Sequence, residues 1–167
     1  MYLLLNSWDC IIQSLVLLIA ANSAPILTRK IFGNHLNKPI DNGYKLGDGY
    51  SLLGNSKTWL GFYAALFFST IVALYLGLKP ITGTLFAILS MTGDLLSSFI
   101  KRRMGKAESS LVRGLDTIPE SLLPLWFLND LLSLNAVEIT IIMGLFFLCE
   151  EFISPLLYKL NIKNNPY

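Results

Sequence analysis

The scarcity of charge, and the places where charge does occur, most constrain what this chain can fold into. Only 14% of its 167 residues are charged and 53% are hydrophobic, whereas an average soluble domain has about 25% charged residues. A composition this apolar excludes a disordered chain. The net charge of only +2, without a basic tail, argues against a nucleic-acid-binding protein. The composition predicts an integral membrane protein whose charges lie in the loops.

Five apolar segments approach the roughly 20 residues that a helix needs to cross the bilayer core. We predict membrane-spanning helices over residues 8–27, 58–78, 80–100, 119–134 and 136–158, of which the fourth is short. The predicted fold is therefore all-α, an integral membrane protein with about five transmembrane helices. The length predicts a single membrane-embedded domain over residues 1–167.

Twelve of the thirteen lysines and arginines fall on one side of these segments. They lie in three places: between the first and second segments, between the third and fourth, and after the fifth. Arg113 is the last of the second group and Lys163 is the last of the third. Basic residues mark the cytoplasmic side of a membrane protein. We therefore predict the N-terminus outside, the C-terminus in the cytoplasm and two long cytoplasmic loops. The only histidine, His35, lies in the first loop without companions for a metal site.

The first loop is long, rich in glycine, and ends with the sequence GNSKTW at residues 54–59. It does not match a phosphate-binding P-loop, because Asn55 stands where the lysine should follow. Its chemistry still suits phosphate, since Gly54 lets the backbone approach closely, Lys57 offers a charge and Thr58 can cap the next helix. A loop that only anchors the topology is the alternative, and the spacing alone favours that alternative.

Polar side chains at helical spacing share one face of the third segment. They are Ser90, Asp94, Ser97, Ser98 and Lys101. Asp94 lies about four residues inside the cytoplasmic end, where a carboxylate needs a partner, a metal ion or a water-filled cleft. Gly93 beside it leaves room for another helix or for a ligand. A shallow, solvated Asp94 at a fraying helix end is the alternative.

Three basic residues, Lys101, Arg102 and Arg103, follow this polar face directly. Taken alone they anchor the topology against anionic lipid headgroups. Next to a carboxylate they also form the cationic rim that a magnesium-bound polyphosphate requires.

A second acid, Asp116, precedes the fourth segment. Thr117 and Glu120 fit a capping box there, and that motif does not require Asp116. Asp94 and Asp116 are therefore predicted to meet at the cytoplasmic interface. Mg²⁺ takes one or two carboxylates together with substrate phosphates, so this pair is a candidate magnesium site.

Several of these segments, in this order, resemble the CDP-archaeol synthase family, membrane relatives of the phosphatidate cytidylyltransferases. The resemblance covers about residues 21–120. GDLLSSFIKRRMG at residues 93–105 is similar to the family's GDL..SFIKRRLG segment. The other matching elements are Ala21-Asn22 with Pro25 (A-N-x-x-P), Pro39-Ile40-Asp41-x-Gly43 (P-I-D-x-G), Asp48-Gly49 (D-G) and Gly54-x-x-Lys57-Thr58-Trp59-x-Gly61 (G-x-x-K-T-W-x-G).

The chain departs from the broader cytidylyltransferase pattern at several positions. Glu108 follows an alanine where that pattern has K-D, and the histidine of its H-G-G element is absent. Asp116 matches the first aspartate of the final element. Pro119 stands where the second aspartate is expected, and Glu120 follows it as a substitute acid.

The resemblance implies that CTP and a phosphatidic-acid-type lipid, ester- or ether-linked, react with Mg²⁺ to give a CDP-lipid and pyrophosphate. It implies that Asp94 and Asp116 bind the metal and that Lys57 and Lys101 act with them in catalysis. Substrate contacts are implied for Asn22, Asp48, Gly54, Thr58, Ser98, Arg102 and Arg103. The site would face the cytoplasm from a prokaryotic inner membrane, and self-association into a homo-oligomer is left open.

Two other function classes compete with this one. A non-enzymatic transporter or lipid-handling subunit would use Asp94 as a coupling site, but it needs a polar path across the bilayer. The outer halves of the predicted helices offer mainly Asp9 and Gln13. A CDP-alcohol phosphotransferase requires D-G-x-x-A-R, and no Ala-Arg follows Asp48-Gly49 at that spacing.

Overall fold

The computed structural model describes residues 7–33, 38–108, 110, 112 and 114–159, with side chains as far as residue 152. Within these residues the chain forms helices and two isolated β-bridges but no strand, which confirms the all-α prediction. The helices are α1 (Ser7–Phe32), α2 (Trp59–Tyr75), α3 (Pro80–Arg103), α4 (Thr117–Phe127), α5 (Asn129–Leu132) and α6 (Ala136–Lys159). His35, Arg113 and Lys163 lie outside the described residues.

Helices α1, α2, α3 and α6 correspond to the predicted first, second, third and fifth segments. Among the described residues, α1 and α3 are long and apolar enough to cross a membrane, and α2 is a shorter apolar helix of 17 residues. At 1.5 Å per residue α2 spans about 26 Å, close to the thickness of a bilayer core. The first loop runs from the end of α1 to Thr58.

The fourth predicted helix is divided into α4 and α5. With 11 residues, α4 is about 16 Å long, roughly half of a bilayer core. Pro124 inside α4 has no amide to donate, and Leu128 leaves helical geometry at φ −112° and ψ 16°. The number of membrane crossings therefore stays a prediction.

Asn135 and Glu138 fix the start of α6. The Asn135 side chain accepts hydrogen bonds at 3.0 Å from the amides of Val137 and Glu138, and the Glu138 carboxylate accepts one at 2.9 Å from the Asn135 amide. This reciprocal pattern is a capping box formed around asparagine. The Glu138 carboxylate thus has a hydrogen-bond partner although Glu138 is buried.

Apolar side chains from α1, α3, α4 and α6 form a common core. The largest fully buried ones are Phe86, Phe146, Leu17, Leu18, Leu125 and Ile142. Small residues bring the helices close together, as is usual where helices pack in membranes. A Cβ atom built on Gly83 of α3 would lie 2.5 Å from the Ser69 carbonyl oxygen of α2. The α2–α3 contact therefore depends on the missing side chain at Gly83.

Candidate active site

Lys57, just before α2, pairs with Asp94 on α3. Its Nζ atom lies 2.5 and 2.6 Å from the two carboxylate oxygens of Asp94, and each side chain is about one-fifth exposed (21%). Burial by itself lowers the pKa of Lys57, but the charges of Asp94, Glu120 and Asp116 outweigh that effect and raise the pKa above its ordinary value. Lys57 is therefore a cation held against Asp94.

Gly93, next to Asp94, is the point where α3 contacts the first turn of α4. A Cβ atom built on Gly93 would lie 2.2 Å from the Pro119 carbonyl oxygen and 2.6 Å from the Glu120 amide nitrogen. The room predicted beside Asp94 is thus filled by another helix. The contact brings the buried Glu120 within electrostatic range of Asp94 and Lys57.

Asp116 pairs with Lys101, the basic residue at the end of the polar face of α3. The Nζ atom of Lys101 lies 2.6 Å from Asp116 Oδ1 and also donates to the Ser110 carbonyl oxygen at 3.1 Å. Asp116 Oδ2 accepts a hydrogen bond from the Val112 amide at 3.3 Å. Two predicted catalytic cations are therefore each paired with one of the two predicted metal ligands.

The capping box predicted for Thr117 and Glu120 is wrong. Helix α4 begins at Thr117, so Asp116 occupies the N-cap position, and its side chain makes no capping bond. The Thr117 hydroxyl instead donates to Glu150 Oε2 on α6 at 2.6 Å. Glu150 is not recognisable from the sequence, because no local pattern in α6 indicates that it contacts α4.

Arg103 joins the end of α3 to the first loop. Its Nη1 atom lies 2.5 Å from Asp48 Oδ2, and its Nη2 atom donates to the Ser51 carbonyl oxygen at 2.7 Å. The guanidinium group also lies over the Phe99 ring, 5.3 Å from the centroid. Arg103 and Asp48, both predicted to contact substrate, therefore contact each other at the surface.

Arg102 and Ser98 are buried within this end of α3. The Nη2 atom of Arg102 donates to the Ala107 carbonyl oxygen at 2.8 Å, so the side chain supports the connection between α3 and α4. Its Nε atom is buried without a hydrogen-bond partner among the described residues.

Asp41 lies inside the first loop and accepts three backbone hydrogen bonds. Its Oδ1 atom accepts from the Gly43 amide at 3.0 Å, and Oδ2 accepts from the amides of Leu53 and Gly54 at 2.8 and 3.0 Å. Burial by itself raises the pKa of this carboxyl, but these amides outweigh it and hold the pKa below its ordinary value. The amide of Gly54, an expected phosphate contact, therefore donates to Asp41.

Thr58 caps α2 as predicted. Its side-chain oxygen accepts from the Gly61 amide at 3.2 Å. The Trp59 amide donates to the Lys38 carbonyl oxygen at 3.1 Å, so this end of α2 is bonded to the start of the first loop.

Asn22 lies on α1, one turn before Pro25. Both polar atoms of its side chain are buried without a hydrogen-bond partner among the described residues. Pro25 contacts α2, since its Cβ atom would lie 3.0 Å from a Cβ atom built on Gly61. Asn22 therefore offers an unpaired donor and acceptor near the start of α2.

Comparison with known proteins identifies the family. The family model described as CarS-like, CDP-archaeol synthase, matches residues 7–167. The chain belongs to this family. The resemblance in the sequence motifs is thereby confirmed.

Named relatives of this CDP-archaeol synthase family member are found in several archaea. The CDP-archaeol synthase of Sulfurisphaera tokodaii is 32% identical over 94% of each chain. That of Sulfolobus acidocaldarius is 32% identical over 90% of this chain and 91% of the relative. That of Hyperthermus butylicus is 33% identical over 69% of this chain and 71% of the relative.

A solved structure described as an intramembrane enzyme for archaeal membrane lipid biosynthesis has a similar fold. The TM-score is 0.62 with 24% sequence identity, and the match covers 89% of this chain and 92% of that chain. The helical arrangement is therefore that of a known intramembrane protein.

Proposed function

We propose that this protein is a CTP-dependent cytidylyltransferase that activates a phosphatidic-acid-type lipid with archaeol chains. Membership in the CDP-archaeol synthase family, over nearly the whole chain, supports this reaction. The observation that carries the proposal is the pair of ion pairs, Lys57 with Asp94 and Lys101 with Asp116. They bring two cations and two carboxylates to the C-terminal half of α3. These groups supply the charges that a metal-bound triphosphate requires.

In the proposed reaction, a phosphate oxygen of the lipid attacks the α-phosphorus of CTP. A new P–O bond forms, the bond from the α-phosphorus to the bridging oxygen breaks, and pyrophosphate leaves. An ionised phosphate monoester needs no general base. The protein therefore contributes positioning and charge neutralisation. Lys57 and Lys101 are the cations placed to neutralise phosphate oxygens.

Mg²⁺ fits the donor set of this site. It is a hard cation that takes one or two carboxylates and completes its coordination with phosphate and water oxygens. Among the described residues, no group of three acidic, histidine or cysteine side chains is placed to hold a metal ion. These residues therefore suit an ion that takes part of its coordination from the substrate. Asp94 and Asp116 would hold Mg²⁺, and Glu120 is the further acid. When bound, the ion would neutralise charge on the phosphates.

The lipid and nucleotide contacts are assigned on chemical grounds. The unpaired amide of Asn22 supports a polar substrate contact, because an unsatisfied polar group is costly away from water. Arg102 and Arg103 supply guanidinium groups for phosphate. Four candidates remain. Thr58, just before α2, and Ser98, on α3, offer hydroxyl groups to the substrate, whereas Asp48 and Gly54 belong to the first loop.

The proposed orientation puts the site on the cytoplasmic face of a prokaryotic membrane, with the N-terminus outside. The cationic ends of α1 and α3 support it, because basic residues stay on the cytoplasmic side. CTP is also a cytoplasmic substrate.

The test uses purified protein, labelled CTP, Mg²⁺ and a panel of ether- and ester-linked phosphatidic acids. We expect a labelled CDP-lipid and equimolar pyrophosphate with the archaeol-type substrate. An Asp94→Asn variant should lose activity, whereas Asp130→Asn, the same change at an exposed position on α5, should retain it. Formation of no CDP-lipid from any substrate would refute the proposed reaction.

A further inference from the structure

Backbone amides of the first loop donate hydrogen bonds to a carboxylate in the same loop, that of Asp41. Asp41 is 8% exposed. One of its carboxylate oxygens accepts hydrogen bonds from the amides of Leu53 and Gly54, and the other accepts one from the amide of Gly43. Phosphate-binding loops present backbone amides to an anion in the same way. Here the carboxylate of Asp41 takes the place of such an anion, so Asp41 fixes the conformation of the loop around it.

The segment that Asp41 organises leads directly to Lys57. The Lys57 amide donates to the Gly54 carbonyl oxygen at 3.2 Å, and the Lys57 carbonyl oxygen accepts from the Ile40 amide at 2.8 Å. Asp41 is adjacent to Ile40, so both flanks of the turn are tied to one place. The backbone of Lys57 is thereby fixed while its side chain reaches Asp94.

We propose that Asp41 is a positioning residue, which fixes the turn at residues 54–57 and thereby directs Lys57 to Asp94 and to the triphosphate of CTP. The role in CTP binding rests on the proposed function. The role in placing Lys57 rests on the structure alone.

A carboxylate suits this position because it only accepts hydrogen bonds and can accept several at once. An asparagine would keep one oxygen but turn an NH₂ group toward amides that themselves donate. A buried amide that loses its acceptor is costly. The turn should therefore move when Asp41 is replaced by asparagine, although the shape of the side chain is conserved.

The first experiment measures the reactivity of Lys57 and needs no enzyme activity. The protein is treated briefly with acetic anhydride, and acetylation of Lys57 is read by mass spectrometry relative to the exposed Lys79. We expect Lys57 to be acetylated several-fold faster in Asp41→Asn than in the wild type. The Asp130→Asn control should match the wild type. Equal rates in all three proteins would overturn the proposal.

The second experiment is a double-mutant cycle on kcat/KM for CTP. Because a displacement of about 1 Å can cost about 100-fold in rate, Asp41→Asn should lower kcat/KM by about that factor and leave the KM for the lipid unchanged. In a Lys57→Ala background the same change should cost less than about threefold, since coupled residues are not additive. A full additional loss in that background, or an equal rise in the lipid KM, would show a general structural role and overturn the proposal.

Asp41→Glu serves as the second variant if Asp41→Asn does not fold. It keeps the charge on a longer side chain, which must shift the turn, so we expect Lys57 to be acetylated faster than in the wild type. An acetylation rate equal to that of the wild type in a folded Asp41→Glu protein would overturn the proposal. Absence of activity in the wild type would refute the proposed function and would leave the acetylation result to decide the role of Asp41.

Discussion

Replacing Gly93 with alanine tests whether the contact between α3 and α4 builds the site. The added Cβ atom would lie 2.2 Å from the Pro119 carbonyl oxygen, 2.4 Å from its carbon and 2.6 Å from the Glu120 nitrogen. All three are backbone atoms, so no side-chain rotation can relieve the overlap. To restore a separation of 3.4 Å from the oxygen, α4 must move by about 1.2 Å.

Two terms set the stability of Gly93→Ala. Overpacking of this kind costs about 1–3 kcal/mol. Replacing glycine by alanine within a helix returns about 0.5–1 kcal/mol. We therefore expect a net destabilisation of up to about 2.5 kcal/mol. The activity should fall further, by about 100-fold, because Glu120 and Asp116 move with α4 away from Asp94.

Gly144→Ala is the matched control, since Gly144 lies in α6 and a Cβ atom there meets nothing within 4 Å. It should gain about 0.5–1 kcal/mol and retain activity. Thermal unfolding in detergent and CDP-lipid formation are measured for both variants. A Gly93→Ala protein with the unfolding temperature and kcat of the wild type would show that the site does not need the helices at this distance, and would refute the role of Gly93.

Three further predictions concern the charged residues. Lys57→Met should lower kcat by about 100–1,000-fold, as loss of an electrostatic contact to a transition state does, and Lys57→Arg should not restore it; steady-state assays check both. Arg103→Ala removes a partly exposed pair with Asp48, whose two side chains are 24% and 42% exposed. It should change the free energy of unfolding by about 1 kcal/mol or less but speed proteolysis within the first loop, which limited trypsin digestion measures. Asp41 has a lowered pKa in the folded protein, so its stabilising contribution is complete above the unfolded pKa of about 3.9 and is lost as the pH falls through the lower folded pKa. The stability difference between wild type and Asp41→Asn should therefore be constant from about pH 5 to 8 and shrink below about pH 4; a difference that grew on acidification would contradict this.

Much of the fold follows from apolar segment length and charge placement. Hydropathy predicts the positions of four helices, α1, α2, α3 and α6. Each of them is a continuous apolar segment, which the composition of the chain makes easy to recognise. The division between α4 and α5 was not predicted, since an apolar composition continues through Leu128. The break depends on local backbone geometry around Pro124, which hydropathy does not encode.

The site was predicted in its residue types but not in its pairings. The helical spacing put Asp94 and Lys101 on one face of α3, and both do belong to ion pairs there. Which cation meets which acid depends on how the loops fold back. In the sequence Asp41 stands out only as part of a motif, because the residues it bonds, Leu53 and Gly54, are 12 and 13 positions away.

Helix α3 contributes one member to each of three ion pairs, through Asp94, Lys101 and Arg103. This arrangement has a consequence for biosynthesis. Lys57 precedes Asp94 by 37 residues, and Asp48 precedes Arg103 by 55, so both partners are already synthesised when α3 leaves the ribosome. A lone carboxylate is costly to insert into a bilayer. In this chain the order of translation supplies a lysine to Asp94 before the helix that carries it is complete.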